Sequence, residues 1–124
     1  MSKVNNNKTK EKIKEYELSG WYMVEKESTV NKYRIKGKYL FYSTDFEKLI
    51  EIAKIEIKEY GFEVAKVILP KYKIMDEYVM CLYDVEEKKE KEMIERFKSY
   101  QASDGVRYWR WKSDEETRRG EYEK

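Results

Sequence analysis

The chain has 124 residues, of which 42% are charged, 40% hydrophobic and 15% aromatic, and its 27 basic and 25 acidic side chains leave a net charge of +2. That length sets the expectation of one domain, the aromatic content argues against a disordered chain, and no apolar run reaches the ~18 residues of a membrane span or forms a signal-peptide core. Histidine is absent and Cys81 is the single cysteine, which excludes His-based triads, disulfide frameworks and cysteine-rich zinc sites.

Along the chain, residues 1–7 carry three consecutive Asn and read as a frayed tail. Residues 8–18 have a thin apolar stripe, Ile13 and Tyr16, on a Lys/Glu background, which predicts a helix stopped by Gly20. Residues 21–27 read as a strand, 28–31 as a turn, and 32–43 as a second extended run with a bend at Gly37. Thr44-Asp45-Phe46-Glu47 has the form of a capping box. Phe46, Leu49, Ile50, Ala53 and Ile57 then recur at helical spacing up to Gly61. Residues 62–69 form a β-branched strand ended by Pro70, and 77–85 form the most apolar strand. A second helix is expected from Glu86 to Tyr100, with Met93, Ile94 and Phe97 in its stripe. Ser103-Asp104-Gly105 is a turn, 106–112 a last strand, and Ser113 to Glu116 could cap a short terminal helix.

From residue 38 the order is βαββαβ, which predicts an α+β, ferredoxin-like antiparallel sheet with two helices on one face, plus an N-terminal helix/strand extension. The expected organisation is a tail and helix over 1–19 and one α+β domain over 20–124 with a short C-terminal tail. The strands at 39–43 and 78–85 should be central, parallel neighbours. In 78–85 both alternating sets are apolar, so the face away from the helices should be partly covered by the N-terminal segment, a second subunit or a ligand. Tyr78 to Val85, followed by a charged helix, is similar to the opening strand of the small CRISPR-associated Cas2 proteins, themselves ferredoxin-like. The similarity spans under a quarter of the chain and sits at a different place in the strand order, so it reads as a shared strand pattern.

Lys far outnumbers Arg, Glu far outnumbers Asp, and Gln101 is the only Gln. Dense Lys/Glu surfaces suit heat, because desolvating ions costs less as temperature rises. AT-rich coding produces the same bias. The expected source is a thermophilic archaeon or archaeal virus. Cys81, in an apolar strand, fits a reducing cytoplasm.

Three functional readings follow. The leading one is a non-enzymatic protein that binds nucleic acid or a nucleoprotein complex through an aromatic and basic sheet face. Its candidate platform is Tyr39, Phe41, Tyr78 and Met80, with Lys66, Tyr108, Arg110 and Lys112 as neighbours. The same rings could instead pack beneath a cover. The second reading is a homodimeric adaptor or inhibitor using Trp21, Tyr22, Trp109 and Trp111. Trp109 and Trp111 alternate onto one face, where they could equally fill the core below the helices. The third is Mg²⁺-dependent phosphoryl transfer with Asp45 and Asp84 at one end of parallel strands. No cofactor is expected for the first two.

Overall fold

The computed structural model describes residues 12–27, 35–84 and 90–113. The chain order is β1 (Ile13–Leu18), β2 (Trp21–Lys26), β3 (Gly37–Ser43), α1 (Phe46–Tyr60), β4 (Val64–Ile68), β5 (Tyr78–Asp84), α2 (Ile94–Asp104) and β6 (Arg107–Ser113). All six strands join one antiparallel sheet in the order β1-β2-β4-β5-β3-β6. The fold class is α+β, with two helices against the sheet.

The expected N-terminal helix is corrected to strand β1. Ser19 and Gly20 both have positive φ, 51° and 89°, and Leu18 pairs with Trp21. A two-residue loop with two positive φ values matches the twist of a hairpin. Gly20 therefore turns a hairpin instead of stopping a helix, and the boundary expected at residue 19 falls within that turn. Cross-strand pairing uses the charges that a Lys/Glu helix would have left in solvent. Tyr22 donates to Glu15 at 2.5 Å, and Lys54 of α1 reaches Glu15 at 3.2 Å.

Helix α1 starts one residue later than the capping-box reading implies. Asp45, extended at φ −113°, is the N-cap, and its carboxylate accepts from the Lys48 amide at 3.2 Å. Gly61, at φ 83°, ends the helix. The apolar stripe buries Leu49, Ile50, Ala53 and Ile57 as expected, and adds Ile52 and Glu56. Glu56 is fully buried and is satisfied by α2. Arg96 holds it with two hydrogen bonds of 2.9 and 2.7 Å, and the Tyr100 hydroxyl donates at 2.5 Å. The α2 region opens with a 3₁₀ turn at Glu90–Glu92, and α2 runs on to Asp104. The expected helix start at Glu86 and Glu87, the tail, the turn at 28–31 and the terminal capping segment beyond Ser113 lie outside the described residues.

Strands β3 and β5 are adjacent as expected but antiparallel, not parallel. The reason is topological: β4 turns back directly into β5, and β4 runs parallel to β3 after the α1 crossover. A second departure lies in β6. Leu40 faces Arg110, whereas Phe41 faces Tyr108, so Trp109 is an extra residue in the ladder. That bulge shifts the alternation by one. Gly37 marks a close approach, since a Cβ there would sit 2.5 Å from the Trp111 ring and 2.7 Å from the Lys112 carbonyl.

The two sheet faces differ. Tyr39, Phe41, Val67, Met80 and Leu82 lie under the helices, packed with Phe62, Phe97 and Val106, and all are essentially inaccessible. The helix-free face carries a smaller cluster of Leu40, Tyr42 and Cys81, bordered by Trp21, Val79, Tyr83 and Trp109.

Candidate nucleic-acid interface

Strand parity builds a cleft of about 540 Å³ on the helix-free face. Alternation brings Lys38, Leu40 and Tyr42 of β3, Val79, Cys81 and Tyr83 of β5, Lys66 and Ile68 of β4, Lys112 of β6 and Trp21 of β2 to this side. The register orders them in rows across the sheet. Lys112, Lys38 and Tyr83 are consecutive partners in one row, and Lys66, Cys81, Leu40 and Arg110 in the next. Residues 69–77, between β4 and β5, supply a wall of Tyr72, Lys73, Ile74 and Met75. A 3₁₀ turn at Pro70–Tyr72 bends this segment, and the Tyr72 ring rests against Gly20 of the hairpin turn, about 3.4 Å from where a Cβ would sit. This loop is a partial cover that the sequence reading did not name.

The lining is basic and aromatic together. Four lysines, Lys38, Lys66, Lys73 and Lys112, meet one carboxylate, Glu77, which Arg107 engages at 2.7 Å. Cations repeatedly sit over rings on this face. The Lys66 Nζ is 4.0 Å from the Trp21 centroid and 5.8 Å from that of Tyr83. Arg107 lies 4.8 Å from Tyr42, and Arg110 lies 4.7 Å from Trp109. Such contacts contribute about 0.5–1 kcal/mol when exposed and more when desolvated. Burial lowers the Lys66 pKa, neighbouring Lys38 adds to the effect, and Cys81 opposes it. Burial also pushes the Cys81 thiol up, although Lys38, Lys66 and Lys112 pull it down. The thiol is held protonated and is therefore a poor nucleophile.

The expected platform is turned inward. Tyr39, Phe41 and Met80 are wholly buried beneath the helices and cannot stack on a base. Tyr108 packs on Phe41 and Phe97, with its hydroxyl on Glu90. Tyr78 is half-buried against Phe46, with Lys73 4.4 Å above its ring. Both residue sets of β5 are apolar, so parity could not be assigned from the sequence, and the larger rings of β3 went to the deeper core. Lys66, Arg110 and Lys112 do share the helix-free face. The interface set also divides. Trp21 and Trp109 lie on that face, whereas Tyr22 packs edge-on to Phe46 and Trp111 packs against Tyr39. Trp109 and Trp111 do not share a face because the bulge separates them. Lys38, Tyr42, Tyr72, Lys73 and Tyr83 were missed. The first, second and last were legible as the opposite parity of the chosen strands, whereas the loop pair carried no such signal.

The expected carboxylate pair is also corrected. Asp84 stands opposite Gly37, at the start of β3, whereas Asp45 follows Ser43 at its end. The six residue steps from Gly37 to Ser43 span roughly 20 Å, so antiparallel pairing puts the two carboxylates at opposite ends. Asp84 is buried and Asp45 caps α1. Among the described residues no group of three or more potential ligands clusters, and no helix is long and apolar enough to cross a membrane. The chain matches no family model, no curated protein and no solved structure.

Proposed function

We propose that the protein is a non-enzymatic module that binds single-stranded nucleic acid, alone or in a nucleoprotein complex, across the helix-free face of its sheet. The observation that carries this reading is the cleft itself, where four lysines and the rings of Trp21, Tyr42, Tyr72 and Tyr83 line one surface. Rings accept bases of any sequence, and lysines accept phosphates. The wall at residues 69–77 encloses one side of the face. We also read β3 to β6 with α1 and α2 as a ferredoxin-like βαββαβ unit, extended by the β1–β2 hairpin beside β4. The partial order β4-β5-β3-β6 supports this, and RNA-recognition modules use a four-stranded sheet in the same way.

The test is anisotropy of a labelled oligonucleotide of about ten nucleotides over a salt series. Lysine–phosphate contacts from the three partly exposed lysines, Lys38, Lys66 and Lys73, give a slope of log affinity on log salt of about −2 for a single strand; Lys112 is buried. Absence of binding at low salt would overturn the reading. A second reading, a homodimeric adaptor, is favoured by one observation: Tyr72, Ile74 and Met75 are 50%, 94% and 43% exposed in adjacent loop positions. Light scattering separates the two. A dimer that dissociates on Ile74→Asp would favour the adaptor, and a monomer that binds oligonucleotide would exclude it.

A further inference from the structure

The site proposed above has an internal conflict, and the following inference rests on that proposal. Trp21 is the ring best placed at the β2 side of the cleft, yet its face is occupied. Lys66 pairs with Met23, two residues along β2, and its side chain reaches diagonally to set Nζ 4.0 Å from the Trp21 centroid. The groups that face this ammonium are the Trp21 and Tyr83 rings, the buried Cys81 thiol and the Lys38 ammonium. The contacts formed by Lys66 are therefore with rings and not with a carboxylate, and the neighbouring full charge is repulsive. An indole face is a weaker partner for an ammonium than a phosphate oxygen.

We infer that Lys66 gates Trp21: the ammonium covers the ring in the free protein, and a phosphate draws it aside so that a base can stack where it lay. The gate makes charge and ring interdependent. A phosphate that takes Lys66 exposes the stacking surface. An uncharged base has to displace Lys66 without offering it a partner. The site thus selects ligands carrying phosphate and base together, such as a nucleotide within a strand, over either fragment. Binding of the two fragments is coupled positively, because each removes part of what opposes the other.

Three probes test this: adenosine, inorganic phosphate and the oligonucleotide of about ten nucleotides. In the wild type, saturating phosphate should tighten adenosine binding about threefold, the worth of one exposed cation–π contact. Lys66→Ala uncovers the ring, so it should tighten adenosine by a similar factor and abolish the phosphate effect. The same variant should weaken the oligonucleotide about tenfold, as loss of a charged hydrogen bond does, and reduce the salt slope by about 0.7. Lys66→Met removes the charge but leaves a flexible chain over the indole. It should weaken the oligonucleotide without tightening adenosine. Competition between phosphate and adenosine in the wild type, or weaker adenosine binding by Lys66→Ala, would overturn the gate while wild-type oligonucleotide binding leaves the proposed function standing. Wild type that binds no oligonucleotide would overturn both. The wild-type coupling needs no variant, so it decides the matter even if Lys66→Ala disturbs the sheet.

Discussion

Charge is treated differently around Glu56, beneath the helices, and around Lys66, on the helix-free face. Under and beside the helices, polar tips end on carboxylates. Tyr100 and Arg96 converge on Glu56, Tyr108 reaches Glu90 and Tyr22 reaches Glu15. The buried Trp111 indole N–H has no hydrogen-bond partner. On the helix-free face Lys66, Arg107 and Arg110 lie over Trp21, Tyr42 and Trp109. The first arrangement is closed at Glu56, whose buried charge is neutralised where it sits by Arg96. The second keeps Lys66 over a ring and within reach of a better anionic partner, whereas Arg107 is already on Glu77 at 2.7 Å. The near-neutral net charge therefore hides a division of labour between faces.

The largest expected effect breaks the covered face alone. Phe41→Ala removes a fully buried ring that touches Phe97 and Tyr108, 5.0 and 5.1 Å between centroids. The cost should be ~3–5 kcal/mol, read as a lower urea midpoint with unchanged slope. Glu56→Ala should come next, near ~3 kcal/mol, because it strands the Arg96 guanidinium and the Tyr100 hydroxyl. Glu56→Gln should recover part of that loss. Equal costs from either change and from an exposed pair such as Lys48–Glu51 would show that the covered face is not closed in the sense described.

Trp109→Ala should show the reverse profile. The residue is partly exposed and belongs to the smaller cluster, so stability should fall by less than ~2 kcal/mol. Oligonucleotide binding should weaken by ~1–3 kcal/mol, the range for one stacked base. A Trp109→Ala protein with unchanged oligonucleotide affinity would confine the interface to the Trp21 side of the face.

That division was only partly legible in the sequence. Five strands, the α1 stripe and its glycine stop follow from β-branched runs, i, i+3, i+4 spacing and Gly61. Strand β1 does not, because Ile13 and Tyr16, three residues apart, fit the helical period and fall on opposite faces of a strand, and the pairing that favours the strand lies with Tyr22 and Glu25. The parity of β3 and β5 is undetermined locally, since Tyr39-Leu40-Phe41-Tyr42 and Val79-Met80-Cys81-Leu82 are apolar on both sides. Only the docking of helices selects a face, and it selected the rings first assigned to ligand. The Trp109 bulge is a property of two strands together, and the wall at 69–77 is a tertiary contact with Gly20. What survived unchanged is the basic component: Lys66 and Arg110 stay partly exposed on the helix-free face because a lysine or arginine resists the helix-covered core, and Lys112 shares that face although it is buried.

The smallest effect is also the one in which tyrosines and a lysine pull in opposite directions. Hydrogen bonds to Glu15 and Glu25, followed by burial, push Tyr22 and Tyr16 up to about 12 from the usual 10.0. A folded pKa above the unfolded one means the native state holds more protons between those values. Stability from these pairs is therefore complete below pH 10 and is lost as pH rises towards 12. Burial instead lowers Lys66 below its usual 10.5. Here the unfolded state holds more protons in the window beneath 10.5, so stability rises with pH as the ammonium is neutralised. The alkaline stability curve should then show a shallow gain before pH 10.5 and a decline beyond it. Chemical denaturation across pH 8–12 would resolve both limbs. Lys66→Met should remove the gain and spare the decline, and a Tyr16→Phe, Tyr22→Phe double variant should do the opposite. If Lys66→Met instead steepened the decline, the ammonium would be stabilising the fold through its place on Trp21, and that ring would be a structural seat for the lysine instead of a surface reserved for a ligand.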